Sequence, residues 1–252
     1  MGESVQKPLH YYRNNLVSLI NVLEAMRETG TKHFIFSSSC TVYGQADKMP
    51  ISEDTPVKPA ESPYGNTKKI SEDILRDTCA VTPLKSIALR YFNPIGAHPE
   101  AHIGELPLGV PQNLVPFITQ TAAGIRKELS VFGTDYPTPD GTAIRDYIHV
   151  VDLAQAHIAA LEYLFRPGHT DSFDVFNVGT GKGNSVLEVI QAFEKATGVK
   201  LPYKLTGRRP GDIAMAYADT TKANEVLGWK AKLSIEQALY DAWKWQQKLL
   251  EE

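Results

Sequence analysis

Two short apolar segments limit what this chain can fold into. Residues 33–39 (HFIFSSS) and 87–94 (IALRYFNP) are largely apolar and then end in polar residues. Apolar runs of this length are typical of strands that are buried on both faces, as in a parallel sheet. Amphipathic helices precede the first segment and separate it from the second. This alternation predicts a parallel sheet with crossover helices.

The helix between the two segments carries the first candidate site. Ser62 can serve as its N-cap, and Pro63 fits its first position. Tyr64 and Lys68 are four residues apart, so both project from one face of the helix. A phenol titrates near pH ~10 and is a poor base at neutral pH, but a fixed ammonium nearby favours the phenolate and lowers the pKa. Tyr64 is therefore a candidate general base whose pKa Lys68 lowers.

Ser39 is the expected partner of this pair. It stands at the carboxyl end of the first predicted strand, the edge at which open α/β sheets bind ligands. Its hydroxyl can hydrogen-bond the group that Tyr64 deprotonates. The alternative is that Tyr64 and Lys68 are an ordinary, partly buried tyrosine and a surface lysine, because such pairs occur on many amphipathic helices.

Composition excludes several classes of function. The 252-residue chain has a formal net charge of −3 and a pI near 6.2, which gives no electrostatic reason to expect nucleic acid or an anionic membrane as a partner. Cys40 and Cys79 are too few for a disulfide framework and fit a reducing compartment, so we expect a cytoplasmic protein. No apolar run reaches membrane-spanning length, and the polar first residues do not resemble a signal peptide.

Four motifs, in this order along the chain, resemble those of the UDP-glucose 4-epimerase family, a group of extended short-chain dehydrogenases/reductases. They are residues 37–44 (SSSCTVYG), 62–68 (SPYGNTK), 90–94 (RYFNP) and 145–149 (RDYIH). The resemblance extends over essentially the whole chain, from Gly2 to Gln246. It implies an α/β fold: the C-terminal part of a doubly wound, Rossmann-like parallel sheet, and a smaller mixed α/β lobe that binds the substrate.

The resemblance also implies a division of the chain. Residues 1–93 are expected to form a truncated NAD-binding domain and residues 94–252 mainly a nucleotide-sugar-binding lobe, with residues 140–183 or so returning to the first domain. A dinucleotide-binding domain opens with a strand and a Gly-rich turn. This sequence opens instead with an amphipathic helix, from Pro8 to Arg27, that has one predicted buried face. We therefore expect the family's Gly-rich NAD-binding loop to lie ahead of this chain.

A glycine turn at residues 179–183 (GTGKG) is an alternative position for that loop, since it follows a predicted strand and precedes a predicted helix. Ser185 and Glu188 fit a capping box at the start of that helix, and the third glycine comes one position too early for the dinucleotide fingerprint. A tight structural turn is the favoured interpretation.

The implied reaction inverts one hydroxyl on the sugar of a nucleotide sugar. In this family UDP-glucose and UDP-galactose are interconverted by transient oxidation at sugar C4 with NAD. By resemblance, Tyr64 is the base, Lys68 also holds the nicotinamide ribose, and Ser39 aligns the 4-hydroxyl. Asn14 and Tyr91 match contacts on the cofactor side.

Substrate-binding residues are implied by the same resemblance. Arg145 and Arg209 match the diphosphate contacts, for which guanidinium groups have the right geometry. Asp212 matches the acceptor of the uridine ribose. The positions that line the sugar and uracil pocket are Asn93, Asn113, Leu114 and Phe132.

Other interpretations of these residues stay open. Arg208 is adjacent to Arg209 and is an alternative to it as the diphosphate contact. Arg145 has Asp146 or Asp152 as alternative partners on the surface, and Phe132 fits a place in the core.

Two positions bear on the choice of substrate. Family relatives that dehydrate the sugar carry an acidic pair where this chain has Ser39 and Cys40, so 4,6-dehydratase activity is disfavoured. Ala216 matches the position beside the sugar's 2-substituent, where a small residue admits an acetamido group. We therefore expect UDP-N-acetylhexosamines as further substrates.

The remaining expectations concern metals, partners and other functions. His149 and His157 lack a third ligand at workable spacing, so no metal site is expected. The family implies a homodimer formed through helices that include the Tyr64 helix. Two other functions remain open: a catalytically silent fragment that binds a nucleotide sugar or dimerises, and another NAD-dependent enzyme that modifies nucleotide sugars, such as a decarboxylase.

Overall fold

A computed structural model describes residues 2–209 and 211–251. The helices are α1 (Gly2–Gln6), α2 (Pro8–Tyr12), α3 (Ser18–Thr29), α4 (Pro63–Val81), α5 (Leu114–Ala122), α6 (Val150–Leu164), α7 (Val186–Thr197) and α8 (Ile235–Glu251). The strands are β1 (His33–Ser37), β2 (Lys85–Tyr91), β3 (Asn93–Ile95), β4 (Leu129–Phe132), β5 (Ile144–Arg145), β6 (Tyr147–His149), β7 (Phe173–Val178), β8 (Asn184–Ser185), β9 (Tyr203–Thr206) and β10 (Met215–Ala216).

The chain folds into two compact units. The first comprises Met1–Tyr91, Gln155–Val178 and Asp219–Trp229, and the second Phe92–Ala154, Gly179–Ala218 and Lys230–Glu252. In the part of the chain that the structure describes, no helix has the length and apolar character needed to cross a membrane.

The first unit is built on a three-stranded parallel sheet in the order β1-β2-β7. Both apolar segments of the sequence are strands of this sheet, as predicted. β1 pairs with β2 from His33 opposite Lys85 to Ser37 opposite Leu89, so the two strands end at the same edge. The middle of β2 is fully buried, which explains why this strand lacks the alternating pattern of a strand with one wet face.

α4 begins as the sequence predicts. Ser62 is its N-cap, and its hydroxyl accepts a hydrogen bond from Gly65 N at 3.2 Å. Pro63 occupies the first helical position, where its missing N–H leaves no donor unpaired. Leu75 and Cys79 bury the inner face of the helix.

The N-terminal helix differs from the prediction in two ways. It is not one regular helix, because a π-helical turn at Arg13–Val17 separates α2 from α3. Its apolar face is also only partly covered: Leu19 is buried, but Leu9 is 82% exposed and Ile20 42% exposed. Periodicity in a sequence identifies the apolar face of a helix but not what covers it, and the prediction of a buried face along the whole helix was wrong for this reason.

The second unit is a mixed α/β structure with small sheets. β5 pairs in parallel with β10 and antiparallel with β8, β3 pairs with β6, and β4 pairs with β9. Its core joins α5, α7 and α8 around fully buried side chains that include Ile118, Phe193 and Leu239.

The unit boundaries differ from the division expected from the sequence. The first unit ends at residue 91 rather than 93, and it regains 155–178 and 219–229 rather than 140–183. The reason lies in the strand pairing: β7 hydrogen-bonds to β2, whereas β5 and β6 pair with strands of the second unit. The glycine turn at 179–183 therefore also belongs to the second unit.

Candidate active site

The first unit holds four of the expected site residues, Ser39, Tyr64, Lys68 and Tyr91, which we refer to as the catalytic group after their predicted role. Ser39 follows β1, Tyr91 ends β2, and Tyr64 and Lys68 lie in the first turns of α4. Because β1 and β2 are parallel, both deliver their polar ends to one edge of the sheet.

Tyr64 is a half-buried phenol whose surroundings make it a weaker acid. Burial raises the pKa of Tyr64 to about 12, and the nearby phenol of Tyr91 acts in the same direction. A hydrogen bond with the Ser39 side chain opposes this effect, because it favours the phenolate. The pKa of Tyr64 is therefore raised in this chain, not lowered as the sequence suggests.

Lys68 lies beside the phenol, but burial is the largest cause of the raised pKa of Tyr64. The Lys68 ammonium donates to the Ser37 carbonyl at 2.8 Å and lies over two aromatic faces, 5.0 Å from the Phe36 ring centroid and 5.6 Å from that of Tyr64. Burial also lowers the pKa of Lys68. The spacing of Tyr64 and Lys68 places the two side chains together as predicted, but the loss of water around the phenol raises its pKa, and the hydrogen bond with Ser39 is what opposes this shift.

Ser39 is arranged as a hydrogen-bond donor. Its buried hydroxyl oxygen accepts from Thr41 N at 3.2 Å and from Thr41 Oγ1 at 3.0 Å. With its oxygen accepting two bonds, the hydroxyl retains its own hydrogen to donate. Ser39 can therefore donate to Tyr64 or to a hydroxyl group of a ligand.

The two residues expected on the cofactor side have different positions. Burial raises the pKa of Tyr91, and a hydrogen bond with the Ser37 side chain opposes that shift. Asn14 lies exposed in the π-helical turn, and its amide donates to Asn15 Oδ1 at 3.5 Å. Among the described residues, no hydrogen bond or ring contact joins Asn14 to Tyr64, Lys68 or Tyr91.

The second unit holds an anchoring group made of Phe132, Arg145, Arg209 and Asp212. One carboxylate oxygen of Asp212 lies 3.0 Å from an Arg209 nitrogen and 3.8 Å from an Arg145 nitrogen. The Arg209 guanidinium lies 5.7 Å from the centroid of the Phe132 ring. Two guanidinium groups share a single carboxylate, so this group carries a net positive charge that suits an anionic ligand.

The structure also bears on the alternatives for the two arginines. Arg208 forms a surface ion pair with Asp135 at 2.8 Å and lies over the Tyr136 ring, so Arg209 and not Arg208 joins Asp212. Asp152 accepts from the main-chain N–H groups of residues 232 and 233 and does not pair with Arg145.

The other predicted substrate residues are distributed over the second unit. Ala216 is buried and lies directly opposite Arg145 in the pairing of β10 with β5. Asn93 pairs with Tyr147, one strand position beyond Asp146. Asn113 is the N-cap of α5, but its side chain makes no capping bond and donates instead to Glu105 Oε1 at 2.7 Å. Leu114 packs against the core. Among the described residues, no hydrogen bond or ion pair joins Asn113 or Leu114 to Arg145, Arg209 or Asp212.

Asp146 organises the turn at residues 179–183, a role that its place in the sequence does not reveal. It is fully buried, and its carboxylate accepts from Thr180 N at 2.8 Å, Thr180 Oγ1 at 2.7 Å, Gly181 N at 3.0 Å and Ala218 N at 3.2 Å. Burial nevertheless raises the pKa of Asp146, while these donors oppose the shift. The signal available in the sequence was an acidic residue inside a strand-like segment, residues 144–149 (IRDYIH).

This arrangement excludes the glycine turn as a pyrophosphate-binding loop. The N–H groups of Thr180 and Gly181 are already bonded to Asp146, so they cannot cradle a phosphate. Gly179 is required by the same contact, since a Cβ there would lie 2.5 Å from an Asp146 carboxylate oxygen. The favoured interpretation, a tight turn into α7, is confirmed together with the capping box of Ser185 and Glu188.

The histidines singled out from the sequence have structural partners. His149 Nε2 lies 3.2 Å from Asp241 Oδ2, and its Nδ1 accepts from Val151 N at 3.0 Å. His157 hydrogen-bonds to the Ser37 hydroxyl at 3.0 Å.

One group of possible metal ligands is found among the described residues: His98, Glu100 and His102, with ligand atoms within 4.8 Å of one another. The two imidazole rings are stacked 4.7 Å apart at 19°, so their lone pairs lie in two nearly parallel planes. His98 Nδ1 also accepts from Glu100 N.

Comparison with known proteins decides the family. The family model described as GDP-mannose 4,6 dehydratase matches residues 1–242. UDP-glucose 4-epimerase 1 of Oryza sativa subsp. japonica is 53% identical over 249 residues, which are 98% of this chain and 70% of the rice protein. The chain belongs to the UDP-glucose 4-epimerase family.

Two solved structures of this family have the same Rossmann-like fold. UDP-glucose 4-epimerase from Stenotrophomonas maltophila, with bound NAD and formylated UDP-arabinopyranose, is 47% identical with a TM-score of 0.95 and is matched over 99% of this chain and 74% of its own. The enzyme from Bifidobacterium longum, in complex with NAD+ and UDP, is 50% identical with a TM-score of 0.91, over 98% of this chain and 73% of its own.

The first prediction concerns Asp146. Asp146→Asn keeps the shape of the side chain but replaces one acceptor oxygen by a donor, so it should destabilise the fold by roughly 2–3 kcal/mol, measured by urea unfolding. Amide hydrogen exchange at Thr180 and Gly181 should become faster. Asp135→Asn is the matched control, because it weakens only the exposed pair with Arg208 and should leave the free energy of unfolding nearly unchanged. Unchanged protection of Thr180 and Gly181 would contradict the role of Asp146.

Proposed function

We propose that this protein interconverts UDP-glucose and UDP-galactose by transient oxidation at sugar C4. The observation that carries the proposal is the arrangement of Ser39, Tyr64 and Lys68: a serine with a hydrogen to donate, bonded to a half-buried phenol, with an ammonium 5.6 Å from the phenol ring centroid. Family membership supports the same reaction, since the similar proteins named above are UDP-glucose 4-epimerases.

The chain's own residues move one proton. Tyr64, as phenolate, takes the proton of the sugar's 4-hydroxyl and later returns it to the same oxygen. Ser39 donates its hydrogen to that oxygen and fixes its position. Because the phenol is half-buried, few water molecules compete for the proton, but the same burial makes the phenolate costly to form.

Lys68 and its surroundings fit a nicotinamide cofactor. An ammonium has three N–H donors, and Lys68 uses one of them on the Ser37 carbonyl. The others are available for the hydroxyls of the nicotinamide ribose. When bound, oxidised NAD supplies the hydride acceptor for sugar C4, and its positive charge adds to that of Lys68 in favouring the phenolate. Tyr91 and Asn14 are the further residues that we assign to the cofactor side.

The anchoring group holds the nucleotide in this proposal. Arg145 and Arg209 bind the diphosphate, and Asp212 accepts from the uridine ribose. Asp212 then exchanges its bonds to the two arginines, at least in part, for bonds to the ligand. Asn93, Asn113, Leu114 and Phe132 line the sugar and uracil pocket.

The decisive experiment compares two proteins. The 252-residue chain is assayed beside the same chain preceded by the N-terminal segment of a UDP-glucose 4-epimerase relative, since the chain covers about 70% of such relatives. Each is tested for NAD that copurifies and for conversion of UDP-galactose to UDP-glucose. Tyr64→Phe should lower kcat on the order of 1,000-fold in whichever protein is active and leave UDP binding intact.

The outcomes separate the candidate functions. Turnover that depends on Tyr64 supports the proposal. Binding of UDP without turnover in either protein, although NAD is bound, would support a catalytically silent protein instead. A product other than a C4 epimer would support a different nucleotide-sugar enzyme, such as a decarboxylase. Ser39 and Cys40 argue against a 4,6-dehydratase, which needs acidic side chains there.

A second prediction tests the anchoring group. Arg209→Gln removes a charge-assisted contact to the diphosphate and should weaken UDP binding by roughly 10-fold, measured by isothermal titration calorimetry. Arg208→Gln is the matched control: Arg208 pairs with Asp135, so the Kd should change by less than about 2-fold. Equal effects of the two substitutions would show that Arg209 has no special role.

A third prediction concerns the sugar's 2-substituent. Ala216 is small and buried opposite Arg145, so we propose that UDP-N-acetylglucosamine and UDP-N-acetylgalactosamine are also substrates. Ala216→Tyr should abolish turnover of UDP-N-acetylglucosamine and keep that of UDP-glucose, because the larger side chain fills the space of the acetamido group. Ala216→Ser should keep both. Failure of the active protein with Ala216 to accept UDP-N-acetylglucosamine would refute this specificity.

We also propose a cytoplasmic homodimer with no nucleic-acid or membrane partner. Two cysteines and a net charge of −3 are consistent with that setting. Apolar side chains on α2 and α3, such as Leu9 and Ile20, are exposed, which favours packing of another protein surface against these helices. Analytical ultracentrifugation measures the dimer directly.

A further inference from the structure

A buried ion pair lies in the first unit beside the catalytic group. Glu72 on α4 and Arg90 on β2 are 3% and 4% exposed, and two hydrogen bonds join them: Arg90 Nε to Glu72 Oε1 at 2.9 Å and Arg90 Nη2 to Glu72 Oε2 at 2.6 Å. Burying two charges costs more than the attraction commonly returns, so such pairs are weak devices for stability alone. The two hydrogen bonds do, however, hold α4 and β2 in a fixed position relative to each other.

A third residue completes a buried triad of Ser38, Glu72 and Arg90. The Ser38 hydroxyl, fully buried, donates to Glu72 Oε1 at 2.5 Å. Glu72 therefore accepts from a strand on one side and from the loop after β1 on the other. This hydrogen bond to a carboxylate is of the stronger, charge-assisted kind.

Each member of the triad is next to a residue of the catalytic group. Ser38 precedes Ser39, and Arg90 precedes Tyr91. Glu72 lies one helical turn after Lys68 on the same face of α4. One set of three hydrogen bonds thus ties together the three backbone segments from which the catalytic side chains project.

The far end of the Ser39 segment is held by the same arginine. Ser39 begins a 3₁₀ turn that ends at Tyr43, and the Arg90 guanidinium lies 4.8 Å from the Tyr43 ring centroid. The Tyr43 hydroxyl donates to Asn177 Oδ1 at 2.7 Å. Ser39 therefore sits on a short segment that is fixed at both ends.

We propose that Ser38, Glu72 and Arg90 are positioning residues. They act through Ser39 and the first turns of α4 to hold the Ser39 hydroxyl and the Tyr64 phenol at the distance and orientation that proton transfer requires. The inference rests on the proposed function for its catalytic part. None of the three residues touches the substrate in this proposal. A misplacement of a reacting group by about 1 Å can cost up to ~100-fold in rate, so the position of the Ser39 hydroxyl affects the rate of proton transfer.

The test removes the Ser38 hydroxyl and compares it with an inert neighbour. Ser38→Ala deletes the link between the serine loop and Glu72 and keeps the ion pair. Ser86→Ala is the matched control, because Ser86 on β2 is equally buried and its hydroxyl has no hydrogen-bond partner among the described residues. In the active protein, Ser38→Ala should lower kcat on the order of 10-fold and change KM by less than about 2-fold. The Ser86→Ala variant should keep the wild-type rate.

The pH profile of kcat distinguishes positioning from general loosening. Ser39 favours the Tyr64 phenolate, while burial and the neighbouring Tyr91, Cys40 and Tyr11 disfavour it. Lys68 is the cation beside the ring. If Ser38→Ala displaces Ser39, the pKa of Tyr64 rises, and the limb on which kcat increases with pH should move to higher pH. A loss of folded enzyme would lower kcat at every pH without moving this limb.

A second measurement needs neither cofactor nor turnover. Cys40 follows Ser39 and is half-buried, so its rate of labelling by a thiol reagent reports the order of the serine segment. Cys79 reacts slowly, because burial raises its pKa to about 11. Ser38→Ala should speed the labelling of Cys40 at least about 3-fold, and Ser86→Ala should not.

The outcomes keep this inference separate from the proposed function. An active enzyme in which Ser38→Ala matches Ser86→Ala in kcat and pH profile overturns the positioning role and leaves the function standing. Faster labelling of Cys40 in Ser38→Ala supports the role even in a protein without epimerase activity. Equal labelling of the two variants in an inactive protein overturns it.

Discussion

The parallel pairing of β1 with β2 is the constraint on which the rest of the first unit depends. Its register places Ser37 opposite Leu89; β1 ends there, while β2 continues for two residues to Tyr91, paired with β7. The segment after β1 brings Ser39 to this edge, and the end of β2 brings Tyr91. α4, which connects the strands, adds the phenol and the ammonium from its first turns. The grouping of these four side chains is therefore a consequence of where two strands end.

Desolvation sets the electrostatic character of that edge. The sequence places an ammonium beside a phenol and suggests a lowered pKa, but in the folded chain the loss of water around Tyr64 is the larger effect. The ammonium of Lys68 is itself partly desolvated and bonded to a main-chain carbonyl. A site of this kind needs further positive charge from its ligands before the phenolate becomes accessible near neutral pH. In the second unit positive charge is already in excess, since the guanidinium groups of Arg145 and Arg209 lie near the single carboxylate of Asp212.

Much of the fold was predictable from the sequence, because the strands and helix ends are determined by residues close together in the chain. The buried strands, the start of α4 at Ser62 and the turn before α7 follow from apolar runs, proline position and capping residues. Three features did not follow. The raised pKa of Tyr64 depends on burial by residues distant in sequence. The choice of Arg209 over Arg208 depends on which of two adjacent side chains meets Asp212. The exposure of Leu9 depends on what covers a helix face, which its periodicity does not contain.

Asp146 and Gly179 illustrate a dependence between distant positions of the chain. The carboxylate of Asp146 occupies the space that a side chain at position 179 would need, with only 2.5 Å between a Cβ there and its oxygen. The two positions therefore constrain each other: a larger residue at 179 requires that the acid at 146 be shortened or lost, and the Cβ of Ala218, 2.9 Å from the same point, must also shift. Losing the acid would in turn release the main-chain N–H groups of the turn. A mutational library that is meant to place a side chain at position 179 must therefore vary position 146 as well.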